Sequence, residues 1–181
     1  MRAMSDLVRE HPIIDDVLET NRKAIGRLHP MWRLHSYRML NICINACPSE
    51  PIDKFAVAIA FHDLPAAIDG DLRYLDRAAA LADAWLTEHR LTEWMPEVRA
   101  MIVNHHKIRP YRGPHAPAVD AFRRADWIDV FLGQWRVGQD KALVDRINHE
   151  FPVAELRRAL PRILGPYFIR HPLKPFPMLR W

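Results

Sequence analysis

Residues 51–64 read PIDKFAVAIAFHDL, and after Lys54 this stretch is apolar nearly all round until it ends on a His-Asp pair. A helix with no polar face belongs in the centre of a domain, and Pro51 suits its first turn. A carboxylate at the end of such a helix costs several kcal/mol unless its charge is paired or coordinates a metal. His62 and Asp63 therefore constrain the fold and the chemistry together.

Helical periodicity dominates the rest of the chain and strand signals are nearly absent, which predicts an all-α fold. Helices are expected over about 12–26, 30–46, 51–64, 71–89, 92–107 and 118–132, with a shorter one or two over 139–163. Loops are expected around Gly70 and over 108–117, IRPYRGPHAP. The end of the chain, HPLKPFPMLRW, holds too many prolines for helix. It is expected to be extended, docked on the body or used in a contact between copies in a homo-oligomer. With 181 residues and no internal repeat, the chain reads as one domain over 1–181. Its core lies at about 30–132, and C-terminal helices with the proline-rich tail occupy 133–181.

Hydrophobic residues make up 49% and charged residues 27%, so a core large enough to bury a polar site is available and wholesale disorder is excluded. The net charge of +4 comes from scattered basic residues, with short clusters at 107–112, 123–124 and 157–158. No run is long enough for a nucleic-acid-binding arm, so nucleic acid is not expected as the main partner, whereas a small anionic substrate fits. Cys43 and Cys47, four apart on a helical stretch, suit two small apolar residues better than a disulfide. With no leader-like or membrane-spanning run in the sequence, a reducing cytoplasmic setting is expected.

Two further polar residues interrupt apolar stripes: His35 in LHSYRML and Asp126 in RRADWIDV. Singly, His35 reads as a hydrogen-bonded core residue, His62-Asp63 as a satisfied helix end, and Asp126 as a partner of Arg123 or Arg124. Together, four imidazole and carboxylate groups aimed inward from three helices have a simpler common cause, a divalent cation. The set accepts manganese, iron, cobalt, nickel, zinc or magnesium.

The ordered pieces LHSYRML, AIAFHDL and RRADWIDV resemble the HD-domain superfamily of metal-dependent phosphohydrolases, over about residues 30–132. The resemblance implies an HD-like helical bundle with His35, His62, Asp63 and Asp126 as metal ligands, Asp129 being a rival for the last place. It also implies hydrolysis of a nucleotide or another small phosphorylated metabolite by metal-bound hydroxide. His105-His106 in IVNHHK resembles the His pair of two-metal branches, which also use a His earlier in the intervening helix. Residues 72–88 contain none, leaving Asp76, Asp83 or His89 as substitutes, so one ion is expected and a second is possible. A helix C-terminus alone would also account for the His pair.

In this reading Asp63 orients the attacking water, and His105 or His106 protonates the leaving group. Arg38, Lys107 and Arg109 are candidate phosphate clamps. Asp69 and Asp71 read as a solvated turn. Loops at 64–71 and 108–117 are expected to shape the pocket. The competing readings are a di-iron oxygenase of HD type, which needs the second metal, and a ligand-sensing module that binds without turnover.

Overall fold

The computed structural model describes residues 6–136, 138–173 and 176–179. Helices make up most of them, with no β-strand among the described residues, in keeping with the periodicity. The helices are α1 (Pro12–Thr20), α2 (Arg22–Ile25), α3 (His29–Ala46), α4 (Ile52–Phe61), α5 (Leu64–Asp69), α6 (Leu75–Glu88), α7 (Met95–Asn104), α8 (Ala116–Val130), α9 (Lys141–Glu150) and α10 (Ala154–Arg170).

Helix α4 is the centre that its sequence demands. Every residue from Phe55 to Phe61 is buried, against α1 and α3 on one side and α6 and α7 on the other. Helix α3 is buried without a break from His35 to Cys43 and packs on α4, α8 and α10, while α7 bridges α4 and α8. The C-terminal ends of α4 and α7 and the middles of α3 and α8 thus meet in one place.

Three boundaries differ from the sequence reading. The expected first helix breaks at Asn21, where the backbone leaves helical geometry before the short α2. Residues 64–69 form a helix, not a loop. Pro65 sits in its first turn, where its missing N–H is harmless, and Gly70 closes it in the left-handed conformation at φ 70°. Helix α10 runs to Arg170 through Pro161 and Pro166. Interior prolines each oppose a helix by about 3 kcal/mol; here Leu156 and Ala159 are buried against Met31 of α3, which offsets that cost. The tail is docked in part, since Met178 is buried in the core. Cys43 and Cys47 are both buried and free, with no disulfide between them. No helix among the described residues is long and apolar enough to cross a membrane.

Candidate metal centre

The chain between α4 and α5 decides the geometry. His62 follows the last turn of α4, and Asp63 occupies the N-cap of α5 without using its side chain as a cap. Its carboxylate is therefore available elsewhere. It meets His35 from α3 and Asp126 from α8, and ligand atoms of all four residues lie within 4.8 Å of one another.

Hydrogen bonds on the outer side of each imidazole fix which nitrogen faces inward. His35 Nδ1 lies 2.6 Å from Asp129 Oδ2, and His62 Nδ1 lies 2.8 Å from the Ile59 carbonyl. Both partners only accept, so both Nδ1 atoms donate. The two Nε2 atoms then face each other at 3.1 Å, with His62 Nε2 also 3.3 Å from Asp63 Oδ2. An outer carboxylate or carbonyl that orients the inner nitrogen is how metal-ligating histidines are held. The His62 ring is further wedged edge-on against Phe122 and His105.

Asp126 is the second sign. It is buried, yet neither carboxylate oxygen has a hydrogen-bond partner. His106 Nδ1 lies 3.3 Å from Oδ2, an ion-pair contact that is not aligned as a hydrogen bond. A buried carboxylate without an aligned hydrogen bond is costly; the His106 contact offsets part of that cost, and a cation among these four groups would offset the rest. Two inward imidazole nitrogens and two carboxylates are a suitable donor set for a divalent ion, so the residues fit the metal that the HD resemblance implies.

Without an ion, protons carry the charge. Burial disfavours the His62 imidazolium, but the Asp63 and Asp126 carboxylates and the Ile59 carbonyl outweigh it and raise its pKa to about 9. Burial likewise opposes ionisation of Asp63, yet His62 and His105 hold it well below the usual carboxylate range. Asp126 is lowered against its own burial by His106 and His105.

The histidine pair divides in function. His105 is 0% exposed, donates from Nδ1 to the Ile102 carbonyl at 2.6 Å, and points Nε2 at Asp63 Oδ1, 3.4 Å away. Burial and the neighbouring His106 lower its pKa, while Asp63 and Asp126 oppose them. His106 instead faces the cavity beside the centre. Between them stands Tyr74, which sequence reasoning missed. Its hydroxyl donates to Asp63 Oδ1 and lies 2.7 Å from His106 Nε2. Burial and the Asp63 charge hold this phenol well above its ordinary pKa, so it stays protonated. In the stretch where a further His would be needed, Tyr74 is the side chain that reaches the site. Asp83 pairs with Arg99, His89 stacks on Trp85 and Asp76 is exposed, so none of the three substitutes does.

The candidate phosphate clamps need correction. Arg38 is 1% exposed and turned away from the cavity: its guanidinium forks onto Asp129 and donates to the Phe151 and Pro152 carbonyls at 3.2 Å. Asp129 thus links Arg38 to His35 and lies outside the group of four converging residues. Neither Lys107 nor the exposed Arg109 lines the cavity. The Lys107 carbonyl accepts from Trp127 Nε1 at 3.1 Å. Asp69 and Asp71 pair with Arg77 and Arg73 at the surface. Ala66 and Leu72 edge the cavity, but nothing from 108–117 does; its walls are mainly α3, α8, α10 and the tail.

Compared with protein-family models, curated proteins and solved structures, the chain matches none.

Proposed function

We propose that the protein is a metal-dependent hydrolase of phosphoric esters, with one divalent cation held by His35, His62, Asp63 and Asp126. The observation that carries this reading is the convergence of two inward imidazole nitrogens and two buried carboxylates, one of them without a hydrogen bond, beside a cavity. The phosphoester class rests on the resemblance of the motifs around these residues to HD-domain phosphohydrolases. A bound divalent ion brings the pKa of water towards neutrality and polarises a phosphoryl oxygen.

The chain's own groups perform the remaining steps. Asp63, steadied by the Tyr74 hydroxyl on Oδ1, orients the attacking water, whose proton would pass to solvent once the bound cation had acidified it. As the water oxygen bonds to phosphorus, the ester P–O bond breaks and the leaving oxygen takes a proton from His106. His106 suits this role better than His105 because it faces the cavity and His105 does not. Arg38 and Asp129 act through His35, holding its Nε2 inward.

A second group, Asp63, His105 and His106, also has ligand atoms within 4.8 Å of one another. These residues would hold a second ion, with Asp63 common to both groups, and a di-iron oxygenase would need that second ion. Metal removal separates the readings. Chelator-treated protein should lose phosphoester hydrolysis and regain it on reloading with one of the candidate metals, at one ion per chain by elemental analysis. Two tightly held irons per chain would favour the oxygenase. Failure of every reloaded form to hydrolyse any ester would favour the sensing module.

A further inference from the structure

The cavity beside the centre has a volume of about 350 Å³, within the span of small-molecule sites. Among the described lining residues the ionisable groups are those of His35, Asp63, Tyr74 and His106, which their mutual contacts gather into one cluster. The rest of the wall is apolar, including Trp32, Trp127, Phe131, Leu156, Leu160 and Met178. No lysine or arginine is among the described lining residues. Trp127 turns its indole N–H away to the Lys107 carbonyl and presents carbon to the cavity. Phe131 and Phe176 line it while remaining 44% exposed, so apolar surface continues from the cavity towards solvent.

We propose that the substrate is an amphiphile: a phosphomonoester of a hydrophobic alcohol, with its head at the polar cluster and its single apolar tail along α10 and α8. This assignment rests on the hydrolase reading for its head group and on the cavity for its tail. A nucleotide is a poor occupant. Its base edges and sugar hydroxyls would be buried against carbon, and each unpaired polar group weakens binding about 5–150-fold. The Trp32 indole N–H, buried without a partner, could serve at most one of them. An alkyl or isoprenoid tail, by contrast, loses only water there, and each buried methylene tightens binding about fourfold.

The test uses the full chain loaded with metal and two series of probes. In calorimetry, n-alkylphosphonates from ethyl to decyl should bind with a Kd that falls about fourfold per methylene until the cavity is filled. A nucleoside monophosphate should bind more weakly than the octyl compound. Leu160→Gln, on the half-buried wall of α10, should weaken the octyl compound at least about tenfold and leave the ethyl compound unchanged. In turnover assays, n-alkyl phosphates should show the same chain-length trend in kcat/KM. Binding that rises with chain length but no hydrolysis of any ester would sustain the amphiphile and remove the hydrolase reading. A Kd flat with chain length, or tighter binding of the nucleotide, would overturn the amphiphile whether or not esters are hydrolysed.

Discussion

Asp63→Ala is expected to abolish phosphoester turnover and metal retention together. The side chain serves both as a ligand and as the group that orients water, and loss of an acid–base group alone typically costs about 10²–10⁴-fold in rate. Loss of ligand charge adds to this, because imidazoles cannot replace it. The fold should survive. Asp63 stands between α4 and α5 and caps neither with its side chain, so its removal breaks no helix end, although the pairing with His62 is lost. Circular dichroism should therefore match wild type while elemental analysis finds no bound ion. Near-normal kcat with full metal content would remove Asp63 from both roles.

Arg38→Ala should act in the opposite way, on the fold before the chemistry. It leaves Asp129 buried with His35 as its remaining close partner and breaks two hydrogen bonds to the chain after α9. Breaking a buried ion pair from one side costs about 3–5 kcal/mol, since the remaining charge stays uncompensated. Asp129 is held below the ordinary carboxylate range, against its burial, mainly by the Arg38 charge and then by His35; without Arg38 its pKa rises. A urea titration of the metal-free protein measures the loss, and a change under about 1 kcal/mol would contradict this picture of the pair. Arg38→Lys should recover only part of it, because a point charge cannot form the fork onto both carboxylate oxygens.

What the sequence discloses is where polarity interrupts an apolar helix. His62-Asp63 at the end of FAVAIAF, His35 within α3 and Asp126 within α8 are visible for that reason, and the structure gathers all four. The order of shells is less visible. His35 and Arg38 are three apart on α3, and Asp126 and Asp129 are three apart on α8, so each pair shares a helix face. Which Asp faces inward depends on how α3 and α8 are turned against each other, and spacing carries no record of that. Arg38 looks like a surface cation by type, and the packing of α8 and the chain after α9 against α3 encloses it. Tyr74 is hidden because a tyrosine before an amphipathic helix is an ordinary core residue; its role comes from the closeness of α4, α6 and α7. Helix α5 and the second half of α10 are obscured by proline, which ends helices on average but sits in the first turn of the one and within a tertiary-packed stretch of the other.

Whether His35, His62, Asp63 and Asp126 share one ion is tested most directly by anomalous diffraction from crystals of the metal-loaded protein, collected at the metal's absorption edge. A single strong peak is expected at about 2.0–2.3 Å from His35 Nε2, His62 Nε2 and one oxygen each of Asp63 and Asp126. A peak elsewhere, or none with Asp126 still without a hydrogen bond, would contradict a shared metal centre.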